Sequence, residues 1–241
     1  MIYSQDKEIE GLVNKLYCYA SMDLRIPLNY FPDFLYLDSS NNDLFMEKVS
    51  SCKPDFAKKI SNLECQISFF KGLYSKGIIG ELGKNYDELI KMKNAFKGSV
   101  PYYNIDYNII LVPKNSENLG GIIGEEMFHF FNFYFSKKAE NSIDQEFIGF
   151  MGRNLIRYFL DFHFDKSYNH LFKEHSRVSQ NIIISPKDDI EEEYNNHVKG
   201  YFKASNFMKK FNHDYASLFF KIIKNPKFFF GSPSDEIIKK F

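Results

Sequence analysis

Two carboxylates and an imidazole stand inside one of the most apolar stretches of this chain. Residues 122–135 read IIGEEMFHFFNFYF, in which Glu125, Glu126, His129 and Asn132 are the polar side chains. Burying an unpaired charge in such surroundings is expensive, so these groups need partners or a metal. On a helix Glu125 and His129 are i and i+4 and project from one face a turn apart, with Glu126 beside them. Two arrangements satisfy them: a shared metal ion, or pairing of a carboxylate with a base such as Arg153, with His129 a hydrogen-bonded core histidine.

The spacing is that of the HExxH helix, whose first and fifth residues bind zinc and whose second is a general base, with Glu125 here in the place of the first His. With the β-type segment and loop before it, the motif resembles the zincin metallopeptidases of gluzincin type over about residues 103–160. The resemblance implies an edge strand bordering a cleft and a third ligand on a following helix, which falls on Glu146 in QEFIGFMGRNLI. Carried over position by position, it makes Glu125, His129 and Glu146 the ligands and Glu126 the base. It implies one divalent ion, zinc by the family's habit. Gluzincins also use a His or Tyr from outside the motif helix to steady an oxyanion, and His197 and Tyr201 are the candidates. These two share a helix face, with Gly200 between them permitting close backbone approach. The implied activity is hydrolysis of a peptide or protein by metal-activated water.

The departure at Glu125 changes the chemistry. Two carboxylates and one imidazole form a harder donor set than the usual zinc site and favour iron or manganese. The same departure fits a non-catalytic interaction protein on a degenerate zincin scaffold. A ferritin-like di-metal carboxylate protein is a further alternative: Glu126-x-x-His129 matches its ExxH signature, and Glu64 and Glu146 could add carboxylates. The second ExxH is missing, because Glu193 and His197 are four apart. His197 and Tyr201 also read as a solvent-edge His and a packing Tyr. His163, His170 and His175 read as a capping or surface segment, and the acidic run 188–193 as a first helical turn. Phosphate-binding glycine patterns are absent from the sequence.

Several elements must position these residues. Helical spacing predicts a helix from Ser4 to about Ala20, a second from Pro54 to near Gly72, and a third over 86–96. The prolines of 25–38 cannot continue the first. Residues 103–112 (YNIDYNIILV) predict a strand ended by Pro113, and 122–135 a helix that is apolar all round and therefore buried. Further helices are expected over 143–160, 191–204, 215–223 and after Pro233, with 182–184 a possible short strand. The expected class is a mostly helical α+β single domain spanning 1–241 with a small sheet, its zincin-like core at about 100–205.

Composition supports an ordinary globular chain. Lys+Arg and Asp+Glu both number 31, a balance that argues against nucleic acid or an anionic membrane as the partner. Hydrophobic residues make up 44% of the chain, enough for a packed core. Cys18, Cys52 and Cys65 form no CxxC pair and read as buried fillers in a reducing compartment, so a cytoplasmic protein is expected.

Overall fold

The structure, a computed structural model, describes residues 2–4, 6–37, 42–81, 83, 86, 89–90, 93, 101–114, 116, 118–136, 142–173, 189–211 and 214–241. It is mostly helical with a small four-stranded sheet, the α+β class that the sequence predicts. The chain divides into two compact units, Met1–Glu10 with Pro32–Ser116, and Gly11–Phe31 with Glu117–Phe241.

The first unit carries the sheet. Strands β1 (Ile2–Ser4), β2 (Asp33–Leu37), β3 (Tyr102–Asn104) and β4 (Ile109–Pro113) lie in the order β1-β2-β4-β3. β1, β2 and β4 run parallel and β3 is antiparallel to β4. Helices α2 (Asn42–Cys52) and α3 (Pro54–Ser75) supply Val49, Phe56, Ala57 and Ile60 to a core shared with Leu35, Ile109 and Leu111. The expected single strand at 103–112 is therefore a hairpin. Asn104 Oδ1 accepts from the Tyr107 N–H at 3.1 Å, and Asn108 takes φ 48°, a left-handed conformation that Asn tolerates, so the chain reverses between them. Strand β2 falls inside the proline-punctuated stretch, where no alternating pattern announced it; buried parallel strands do not alternate.

Helix α1 (Lys7–Leu24) begins later than Ser4, because Ile2–Ser4 is already committed to β1. Asp6 caps it instead, its Oδ1 accepting from the Glu8 N–H at 2.8 Å.

The second unit is helical. Helices α4 (Leu119–Ser136), α5 (Ser142–Leu155), α6 (Arg157–Phe162), α7 (Asp189–Lys209), α8 (Tyr215–Lys224), α9 (Pro226–Gly231) and α10 (Ser234–Lys240) follow in order. The helix expected over 143–160 is thus two, α5 and α6, parted at Ile156, which packs against Gly124. α4 buries Phe128 and Phe131 completely, and their rings stand 5.2 and 5.5 Å from that of Phe230 in α9. Each such burial is worth about 1.5–3 kcal/mol. A side chain on Gly152 would run into the Gly124 carbonyl and stand 2.5 Å from Phe128, so bare glycines let α4 and α5 cross closely. At the start of α10, the Ser234 N–H donates to buried Asp144 Oδ1 at 3.0 Å, tying that helix to α5.

The helix expected over 86–96 lies largely outside the described residues, and the strand at 182–184 and His175 lie wholly outside them. Cys18 and Cys65 are free and exposed, not buried fillers. Among the described residues no helix is long and apolar enough to cross a membrane.

Candidate metal centre

Three helices of the second unit bring the chemistry together. α4 carries Glu125 and Glu126, 4% and 5% exposed, and partly exposed His129. α5 carries Glu146 and Arg153, and α7 carries His197 and Tyr201. The crossings again depend on glycine. A side chain on Gly200 would collide with Glu146 Cβ and stand 2.7 Å from the Ile143 carbonyl oxygen, so α7 lies directly on the turn of α5 that presents Glu146. A Cβ on Gly149 would stand 2.6 Å from His129 Nε2.

Each oxygen of Glu125 is engaged. Arg153 donates to Oε2 through Nε at 2.8 Å and through Nη2, while the Tyr201 hydroxyl donates to Oε1. Arg153 Nη2 also lies 3.4 Å from the Tyr201 hydroxyl. On the other side, His197 Nδ1 stands 2.5 Å from Glu146 Oε2. The ligand atoms of Glu125, Glu146 and His197 all lie within 4.8 Å of one another, so this group could hold a metal ion.

Burial and charge divide the two histidines. Burial lowers the His129 pKa and outweighs the carboxylates of Glu146 and Glu125, which pull the other way. At His197 burial also acts downward and is the largest single influence, but contact with Glu146 and the charges of Glu146 and Glu125 together raise the pKa. Burial, followed by the charge of Glu125, pushes the Tyr201 phenol far up and keeps it a donor. Burial disfavours the Arg153 charge, but Glu125, Tyr201 and Glu126 outweigh it and hold the guanidinium protonated.

No family model, no curated protein and no solved structure matches this chain. The site is therefore read from its own chemistry. Glu125 and Glu146 bring two carboxylates to one place beside an imidazole, a donor set that a divalent ion could join. Glu146 Oε2 is buried and stands against the His197 imidazole. A buried carboxylate oxygen beside an imidazole and a second carboxylate is a set of donors that a metal ion could use.

Of the residues singled out from sequence, Glu125 and Glu146 lie in one group. The imidazole grouped with them is that of His197, expected as an oxyanion donor, while His129 is not a member of the group and packs on Gly149. Tyr201 touches Glu125, and Arg153 is the pairing partner that the sequence allowed for it. Glu126 lies close enough to Arg153 to stabilise its charge. Glu64 belongs to the first unit and is outside the group. His163 is more than a surface residue: its Nε2 lies 3.2 Å from Asp23, and its ring stacks on Tyr19 at 4.2 Å. His170 is exposed.

Proposed function

We propose that this chain is a metal-dependent hydrolase of amide bonds in peptides or proteins, with one divalent ion held by Glu125, Glu146 and His197. The observation that carries the reading is the convergence of Glu125 and Glu146, from consecutive helices, at two of the three positions where the gluzincin resemblance puts ligands, joined by an imidazole from α7 in place of His129. A carboxylate-rich set favours iron or manganese beside zinc. A bound ion would supply an acidified water and a polarised carbonyl.

The chain's own residues do the rest. Glu126 lies outside the ligand group and adjacent to it in the motif, and accepts the proton of the attacking water. Tyr201 stays protonated and, with Arg153, offers donors to charge developing on the substrate oxygen. The balanced charge of 31 against 31 goes with a peptide and not with nucleic acid or a membrane surface, and the unpaired cysteine pattern goes with the cytoplasm.

A second reading has its own support: Arg153 and Tyr201 already satisfy both Glu125 oxygens, as in a closed internal network on a non-catalytic interaction protein. Metal analysis of protein purified without added metal separates the two. One ion per chain, with Glu126→Gln keeping the ion and losing hydrolysis of a broad peptide library, is the expected result. Two ions would favour the di-metal carboxylate alternative. A chain that takes up no zinc, manganese or iron sinks the proposal.

A further inference from the structure

We infer that Arg153 is a built-in counter-cation at Glu125, so that loading the site with a divalent ion and releasing Arg153 from Glu125 are a single exchange. This inference rests on the metal reading of the same site.

The geometry at one oxygen carries it. Arg153 Nε, at 2.8 Å, and Nη2 both donate to Glu125 Oε2, and Tyr201 donates to Oε1. Two N–H groups on one carboxylate oxygen use both of its lone pairs. An ion that takes Oε2 therefore displaces at least one of them. At Glu146 the neighbour is not a guanidinium: Oε2 is buried against His197 Nδ1, an imidazole that itself belongs to the ligand group.

Charge reinforces the competition. A guanidinium held against a ligand carboxylate stands within a few ångströms of any ion that the carboxylate binds, and two positive charges at that range repel strongly where water is partly excluded. Arg153 also has somewhere to go. It stands in the last turn of α5 with its side chain 28% exposed, and its Cζ lies 5.4 Å from the centre of the Tyr201 ring, a cation–π contact that does not require Glu125. The buried Glu125 is thus neutralised by one cation or the other. The affinity for a metal then measures the difference between the two partners.

Titration calorimetry with manganese chloride on metal-stripped protein tests this. Removal of the competing charge in Arg153→Met should tighten Mn²⁺ binding by about tenfold or more. Arg153→Lys keeps the charge and should stay within about threefold of the wild type. Because Arg153→Met leaves a buried carboxylate without its cation and so destabilises the fold, a second measurement uses the wild-type protein: modification of Arg153 by phenylglyoxal, followed by peptide mass, should speed up at least about twofold when Mn²⁺ is added. Equal or weaker Mn²⁺ binding by a folded Arg153→Met, or modification that Mn²⁺ leaves unchanged or slows while the wild type binds it, overturns the inference and leaves the metal site standing. Failure of the wild type and Arg153→Met alike to bind Mn²⁺ or Zn²⁺ removes the metal reading itself, and the exchange with it.

Discussion

Tyr201 donates its hydroxyl to Glu125 Oε1, joining the long helix that starts at Asp189 to the buried motif helix through a polar contact. Burial and the Glu125 charge hold the phenol's proton in place. Tyr201→Phe keeps the ring against Phe150, 4.8 Å away, and removes the donor to a buried carboxylate oxygen. A loss of about 1–3 kcal/mol is expected, measured by urea unfolding at neutral pH. A change below about 0.5 kcal/mol would mean that water or another donor takes over the oxygen.

The glycine crossings should be intolerant of even one methyl. Gly200→Ala drives a Cβ into Glu146 and into the backbone of Ile143 and Phe147, none of which is a flexible side-chain end. Destabilisation of about 1–3 kcal/mol is expected, with reduced metal uptake because Glu146 and His197 are forced apart. Gly72→Ala, which meets nothing within 4 Å, serves as the control and should be neutral or stabilising.

The two imidazoles should differ in their effect on metal. His197 is grouped with both carboxylates, whereas His129 lies against Gly149 with its pKa lowered by burial. His197→Ala should weaken Zn²⁺ or Mn²⁺ binding at least tenfold, and His129→Ala by less, read by competition with a chromophoric chelator. The reverse order would restore His129 as the ligand that the HExxH-like spacing implies.

Acid stability should depend on Asp165. The Lys15 ammonium, followed by the N–H of Ser167, holds its carboxyl down at about 2, below the ordinary value of 3.8. A carboxyl depressed in the folded state stabilises above its unfolded pKa, and that contribution is lost as pH falls from about 4 to about 2. Lys15 is 39% exposed, so solvent screens the pair and the contribution is nearer 1 kcal/mol, roughly, than the full shift implies. Asp165→Asn should lower stability by that amount at neutral pH and flatten the acid limb of the stability curve between pH values of about 4 and 2.

Phe164 offers a stabilising change. It occupies the left-handed position after α6 at φ 56°, with its N–H donating to the Asp161 carbonyl at 3.0 Å and that of Asp165 to the Leu160 carbonyl at 2.9 Å. That is the helix-ending arrangement in which glycine is favoured, and the ring is 91% exposed, so it contributes no burial. Phe164→Gly should raise stability by about 1 kcal/mol, seen as a higher melting temperature.

The sequence by itself determined the elements whose signal is local. A run apolar all round made α4 a buried helix, Pro54 started α3, and the charges embedded at 125, 126 and 129 marked where polar partners had to be found. Gly200 was legible as a close approach because only an absent Cβ allows one. The sequence also offered Arg153 as a partner for a motif carboxylate. It could not place β1 and β2, because parallel pairing joins segments with no alternating pattern and no shared turn. Nor could it choose the histidine. Periodicity relates Glu125 to His129 on one helix, but the neighbours of Glu125 across space depend on the crossings that Gly124, Gly152 and Gly200 allow. Those crossings lay α7 on α5 and bring His197, not His129, into one group with the two carboxylates. Spacing along a helix fixes which residues share a face; only the packing of three helices fixes what that face meets.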